Sequence, residues 1–227
     1  MNPELVPASV SVIIPVVNDD DVLVTLLADL CHQVPGEVIV VDGSDSSATR
    51  AVCRPYRYFH VPGGRGNQLA CGAEQAGGEI LWFLHADSVI EPEALATILQ
   101  AVANGALGGC FRFRFTGERR WYKTLLEWMI NARTAIGVAY GDQGLFFTRA
   151  AYEAAHGFSD FPLFEEVNLV KAVKRMGGFM RLTQPIGISC RRWERDGWIR
   201  RTLINRLLAC GFALGLSPNY LSRLYQR

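Results

Sequence analysis

Val10-Ser-Val-Ile-Ile-Pro-Val-Val17 is an unbroken, mostly β-branched apolar run that stops at Asn18 and gives way to a helix-period segment from Asp19 to Leu30. A continuous apolar strand, as opposed to one alternating with polar residues, is buried on both faces, the condition inside a parallel sheet covered by helices. The pattern recurs. Glu37–Val41 is a second apolar run, stopped by Asp42-Gly43-Ser44-Asp45. Tyr56–Val61 is a third, followed by a Gly-rich turn and a helix across Arg65–Ala76. Glu79–Leu84 is a fourth, stopped by His85-Ala86-Asp87, with another helix beginning near Glu91. Strand–helix units joined in this way cross over right-handed, so an α/β doubly wound sheet is expected.

The second half is mixed. Gly109–Phe115 reads as a strand alternating Arg and Phe, Trp121–Ala135 as an amphipathic helix, and a further strand ends near Phe147. Helices are expected over about Phe164–Met176 and Gly197–Gly211. No repeat, low-complexity segment or linker divides the chain, so residues 1–227 are expected to form one domain with two lobes, 1–105 and 106–227.

Composition narrows the class. The chain has 227 residues, 49% of them hydrophobic and 20% charged, which is ordinary for a folded domain and not for a disordered one. Its six cysteines (Cys31, Cys53, Cys71, Cys110, Cys190, Cys210) are scattered without CxxC or a ligand-like spacing to His, which argues against a zinc site or disulfide framework and for a reducing cytoplasm. Met1–Pro7 lacks the basic-then-apolar order of a signal peptide, and the longest apolar run, Leu207–Leu216, falls short of the ~18 residues a spanning helix needs. The net charge of +1 conceals an asymmetry: Arg191–Arg227 holds eight Arg against Glu194 and Asp196. No basic helix interleaved with aromatics supports nucleic-acid binding. The basic tail suits an anionic lipid, a diphosphate or plain solvation.

In an open α/β sheet, ligands bind beyond the carboxyl ends of the strands. Asn18-Asp19, Asp42-Gly43-Ser44-Asp45 and His85-Ala86-Asp87 each stand at such an end. One such acid is an ordinary helix cap; three in register make a site. Gly63-Gly64-Arg65-Gly66-Asn67 offers a flexible turn and a helix N-terminus to a phosphate, without the spacing of an ATP-binding loop.

On these residues the chain resembles the family 2 glycosyltransferases of the GT-A fold. The matching segments are Ser11-Val-Ile-Ile-Pro-Val-Val-Asn18, Val40-Val41-Asp42-Gly43-Ser44, Leu84-His85-Ala86-Asp87, Gly141-Asp142-Gln143-Gly144, Phe164-Glu165-Glu166-Val167 and Ser189-Cys190-Arg191-Arg192-Trp193. The combination of GRGNQ, FLHADS, GDQG and RRW is similar to a bacterial subfamily associated with arsenosugar biosynthesis. The resemblance implies a mostly parallel, Rossmann-like sheet whose first lobe binds a nucleotide-sugar and whose smaller mixed lobe faces the acceptor. It implies an inverting transfer from a nucleotide-diphosphate sugar, commonly a UDP-sugar, to a hydroxyl on a small-molecule or lipid-linked acceptor.

The resemblance also assigns roles. Pro15, Asn18, Asp42, Gly43 and Ser44 would surround the nucleotide, with Asp42 accepting a hydrogen bond from the base. Arg65 and Asn67 would lie near the donor. His85-Ala86-Asp87 stands where the family carries D-x-D, so Asp87 would hold Mg²⁺ or Mn²⁺ and His85 would sit at the site's rim. Glu165-Glu166 replaces the usual Glu-Asp, whose second residue is the general base, so Glu166 takes that role. Asp142 and Gln143 would line the acceptor side. Arg191 and Arg192 would neutralise the leaving diphosphate and Trp193 would stack on a sugar ring.

Ile199, Leu203 and Leu207, with Ile204 and Leu208, form an apolar face beside Arg200, Arg201 and Arg206. Such a stripe packs into a core or lies on a membrane surface, and the second alternative would suit a lipid-linked acceptor. Two other functions fit a nucleotide-binding lobe. A sugar-1-phosphate nucleotidyltransferase would show GxGxR and a Lys after the first strand, where Asn18-Asp19-Asp20-Asp21 stands. A nucleotide-sugar-binding accessory protein without catalysis would explain the His85 and Glu166 departures.

Overall fold

The computed structural model describes Val6 and residues 9–225, so Arg227 of the basic tail and most of the Met1–Pro7 segment lie outside it. β1 (Val10–Val16) is buried along its whole length. It pairs in parallel with β2 (Glu37–Asp42) on one side and β4 (Ile80–Phe83) on the other, and β3 (Arg57–His60) extends the sheet beyond β2. The pleat sends Val10, Val12, Ile14 and Val16 into one core layer and Ile13 into the other. α1 (Asp20–Gln33) and α4 (Ala94–Ala103) cover the first layer through Leu23, Leu26, Leu30, Leu95 and Ile98. α3 (Arg65–Gln75) covers the second through Leu69 and Ala73, and the short α2 (Ser47–Val52), capped by the Ser46 hydroxyl, follows β2.

The other strands are β5 (Gly108–Phe115), β6 (Phe146–Thr148) and β7 (Phe179–Ile188). The seven-stranded order is β3-β2-β1-β4-β6-β5-β7; β6 runs antiparallel to both neighbours, and β5 and β7 are parallel. The mostly parallel sheet flanked by helices is the expected architecture. α6 (Arg149–Ala154) and α7 (Val167–Arg175) join α3 over the second layer, where Leu169, Val170 and Val173 are fully buried.

The remaining helices are α5 (Trp121–Ile136), α8 (Arg191–Asp196), α9 (Trp198–Ala213) and α10 (Pro218–Tyr225). α9 and α10 dock through a small separate cluster of Leu208, Leu221, Phe164 and Val167, with Phe212 against Phe164 at 4.8 Å. α8 is held by Trp193, which packs edge-on against Phe115 at 4.9 Å.

Two sequence expectations change. The helix expected from Phe164 starts at Val167, because Phe164 adopts a left-handed backbone (φ 65°) that a helix cannot continue through. Glu165 and Glu166 therefore sit in the turn before α7. The apolar face expected on α9 also divides. Leu208 is buried and Ile204 packs against its cluster, whereas Ile199, Leu203 and Leu207 are 78%, 57% and 71% exposed. No helix among the described residues is long and apolar enough to cross a membrane.

Candidate active site

The carboxyl ends of β1 and β4 open into a cleft of about 910 Å³, closed on the far side by α5, α8 and α9. Pro15, Asp19, Arg65, His85, Asp87, Asp142, Glu166, Arg191, Arg192 and Trp193 line it. Of the residues anticipated from sequence, nine are thus brought together from six separate segments.

Local constraints place them. Asn18 takes a left-handed conformation (φ 53°) that Asn tolerates better than most residues, and it turns the chain so that Asp19, not its own exposed side chain, lines the cleft. The buried Gln68 amide donates to the carbonyls of Val16 (3.1 Å) and Val41 (3.3 Å), tying the ends of β1 and β2 together. A Cβ on Gly43 would stand 2.5 Å from that amide nitrogen, so this close approach requires glycine. Gly66 serves α3 similarly: a Cβ there would meet the Ser159 carbonyl at 3.1 Å and Glu165 Cβ at 3.3 Å. Its absence lets the helix start directly against the 159–165 loop, within reach of Glu165.

Arg65 Nε donates to Glu165 Oε1 at 2.5 Å, and its Nη1 lies 3.2 Å from His85 Nε2. A guanidinium can only donate, so the imidazole nitrogen accepts and the ring is neutral. Burial, then the charges of Arg65 and Arg192, holds the His85 pKa well below its usual range. Arg191 reaches Asp19 at 3.4 Å and Asp87 at 3.6 Å, bridging the ends of β1 and β4. Arg192 donates to the Tyr225 hydroxyl at 2.5 Å, which joins α8 to α10.

Glu166 is buried at the cleft wall. Its Oε1 accepts from the Gly141 N–H at 3.0 Å, and its Oε2 is buried without a hydrogen-bond partner. Burial, then the neighbouring Glu165 carboxylate, pushes its pKa up to about 7 against the opposing pull of Arg65. Beside it Asp142 also has a buried, unpartnered oxygen, and burial raises its pKa despite Arg133 and Arg65. Two carboxyls of the cleft lining, each with a buried oxygen that has no partner, are available to take or hold a proton.

Several anticipated residues lie elsewhere. Asp42 is fully buried, and its own turn fills its carboxylate: Ser44 donates from its N–H (2.8 Å) and hydroxyl (2.6 Å), Ser46 from its N–H and Tyr58 from its hydroxyl. Burial alone would raise its pKa; these bonds outweigh that and hold it low. Gly43 and Ser44 shape this turn and do not line the cleft. Asn67 faces solvent beside Gly63, and Gln68 occupies the cleft position instead. Gln143 points inward, accepting from Thr134 and donating to the Phe111 carbonyl, because it closes the 141–143 turn onto β5 and α5. Glu165 stands behind Arg65, outside the cleft lining.

Among the described residues no three His, Cys, Asp or Glu side chains converge as a cation cage. His85 Nε2 is turned to Arg65, which leaves Asp87 as the carboxylate at the D-x-D position. One carboxylate suffices for a hard cation whose other positions are filled by diphosphate oxygens and water.

This arrangement of strand ends agrees with the comparison to known proteins. The profile described as Glycosyl transferase family 2 matches residues 11–154, well over half the chain. The chain belongs to glycosyltransferase family 2. Among curated proteins none matches this glycosyltransferase in sequence. Its fold matches solved enzymes: TarS of S. aureus (TM-score 0.65, 17% identity, 80% of this chain and 60% of that one). Another is the mannosyltransferase PcManGT of Pyrobaculum calidifontis in complex with GDP-Man and Mn²⁺ (0.61, 18%, 93% and 66%). A third is glucosyl-3-phosphoglycerate synthase of Mycobacterium tuberculosis in complex with Mn²⁺ and UDP-glucose (0.58, 15%, 83% and 76%). The chain thus spans 60% of the length of the TarS structure.

The cleft of this family 2 chain contains residues that carried no motif or only a local one. Arg133 from α5 stacks over Tyr140 at 4.3 Å, while Arg201 and Arg206 from α9 and Tyr225 from α10 complete the wall. Asp19 belonged to a strand-end motif and Gln68 adjoined the GRGN turn, so both carried a local signal. The helix residues carried none, because their place depends on how α5 and α9 pack across the sheet.

Proposed function

We propose that this family 2 glycosyltransferase is an inverting enzyme that transfers a sugar from a nucleotide-diphosphate donor, a UDP-sugar, directly to an acceptor hydroxyl. The observation that carries the reading is Glu166: a buried carboxyl at the cleft wall with one oxygen unpartnered and a pKa of about 7. That value suits a base which must be ionised when it takes the hydroxyl proton and protonated afterwards. The Gly141 N–H fixes the carboxyl's orientation through its other oxygen. Asp142, next to it, lies on the acceptor side.

Arg65, Arg191 and Arg192 also line the cleft, at the ends of β1 and β4 where the diphosphate would lie and where its developing charge is best met. Asp87, with the diphosphate, would hold Mn²⁺ or Mg²⁺, which would add charge neutralisation at the leaving group. The solved Mn²⁺ complexes of two fold relatives support a cation of this kind. His85, neutral and hydrogen-bonded to Arg65, orients that guanidinium and leaves the diphosphate's cation to Asp87. The proposal includes one domain with a donor lobe and an acceptor lobe, a place in the subfamily associated with arsenosugar biosynthesis, and a reducing cytoplasmic setting supported by six unbridged cysteines.

Thermal unfolding against UDP-, GDP- and dTDP-sugars, each with and without Mn²⁺, tests the reading. A donor at ~100 times its dissociation constant adds ~2.7 kcal/mol to stability. A selective UDP-sugar response enhanced by Mn²⁺ and lost in Asp87→Ala is expected, with Glu166→Gln keeping donor binding while losing transfer. No response to any nucleotide-sugar would overturn the assignment, and equal loss of donor binding in both variants would sink the separation of roles.

A further inference from the structure

α5 and α9 both wall the cleft, and both present apolar stripes to the outside. On α5 the exposed positions Trp121, Leu125 and Trp128 recur at four- and three-residue intervals and Ile136 follows about two turns on, with Ile136 92% and Trp121 78% exposed. On α9 the same holds for Ile199, Leu203 and Leu207, and Leu214 follows just beyond its end. The two helices meet where Tyr122 packs on Trp198 at 4.9 Å. On each helix the stripe lies on a different face from the cleft-lining positions, which include Leu126, Ile130 and Arg133 on α5 and Arg201, Asn205 and Arg206 on α9. The apolar surface therefore lies on the outer faces of the two helices that wall the cleft.

Its charge is one-sided. From Trp198 to Tyr225 the chain carries Arg200, Arg201, Arg206 and Arg223 and no Asp or Glu. Among the described residues only Arg201 of these four makes an ion pair, with Asp196. We infer that this surface seats the protein on an anionic bilayer, with the α5 and α9 stripes in the interface and Arg200 and Arg223 against lipid phosphates. Leu and Ile between Trp and Arg is the composition of a helix lying at a lipid interface. A second copy of the chain is the poorer occupant. A two-fold contact would set the acid-free Trp198–Tyr225 segment against itself and bring like charges together, whereas an anionic leaflet complements them. The two helices that wall the cleft would then lie at the membrane surface.

Flotation of the full chain with vesicles of phosphatidylcholine, alone or with added phosphatidylglycerol, tests the inference independently of donor binding. The wild type is expected to float with the anionic vesicles, to be released by salt, and to stay largely in solution with the neutral ones. Arg200→Gln/Arg223→Gln should lower partitioning roughly 25-fold, at about 5-fold for each arginine. Ile199→Ser/Leu203→Ser/Leu207→Ser should abolish it while leaving the unfolding temperature within a few degrees, since all three side chains are exposed. Failure of the wild type to float with anionic vesicles at low salt would overturn the inference. So would a dimer in solution that the same three substitutions dissociate, because a second copy would then be the occupant. The response to nucleotide-sugars is read separately, so either reading can fail without the other.

Discussion

Glu166→Gln should raise the stability of the protein at pH 8 and lower it slightly at pH 4.5. A carboxyl ionising at about 7 instead of its ordinary 4.5 disfavours its charged form in the fold by ~3 kcal/mol. The pKa is raised on folding, so the stability associated with the protonated form is complete below 4.5 and declines as pH rises to about 7. Glutamine does not ionise and avoids that decline. Its carbonyl can keep the bond from the Gly141 N–H, but its amide would take the place of Oε2, which has no partner, at a cost of ~1 kcal/mol. The balance is a gain of ~2 kcal/mol at pH 8, or ~4–8 °C in unfolding temperature for a chain of this size, turning to a small loss at pH 4.5. Urea unfolding of both proteins at the two pH values measures it directly. A gap between them that does not change with pH would refute the buried, proton-holding Glu166. The same group predicts that kcat/KM of the wild type rises with pH through about 7, as the base ionises.

Three further outcomes follow from the packing. Gly43→Ala would place a methyl 2.5 Å from Gln68 Nε2 and should destabilise by ~1–3 kcal/mol in urea, with Gln68→Ala in the same chain recovering part of the loss. Arg65→Ala would leave the buried Glu165, whose Oε2 is already unpartnered, without its cation; a loss of ~3 kcal/mol is expected, mostly restored by Arg65→Met/Glu165→Met. Of the six thiols, exposed Cys31 and Cys210 should react first with a thiol reagent, whereas burial raises Cys53 to about 11 and Cys110 to about 12 and should keep both silent until the protein unfolds.

The first 105 residues were legible in the sequence to within a few positions, from β1 through α3 to β4, because β1, β2 and β4 are buried along nearly their whole length and so are apolar at almost every position, while the edge strand β3, with Arg57 and His60 exposed, carries a weaker pattern. Strand ends were equally visible: Asn18, Asp42 and His85 are the polar residues that stop these runs, and the ends of β1 and β4 do open into the cleft. Glu166 was placed through the family pattern, but nothing local revealed that it would precede α7 and not begin it; that depends on the left-handed Phe164.

Which of the polar residues face the cleft was settled by packing. Asp42 and Gln143 stand in motifs as clear as those of Asp87 and Asp142, yet their side chains close their own turns, because a buried carboxylate or amide must find donors and acceptors wherever the chain supplies them. Arg133, Arg201 and Arg206 enter the site from helices with no motif at all. The two apolar sides of α9 read as one stripe in sequence, since periodicity reports that residues are apolar and not what covers them. Leu208 has Phe164, Val167 and Leu221 to pack against; Ile199, Leu203 and Leu207 face outward, and only the arrangement of helices around the sheet separates the two groups.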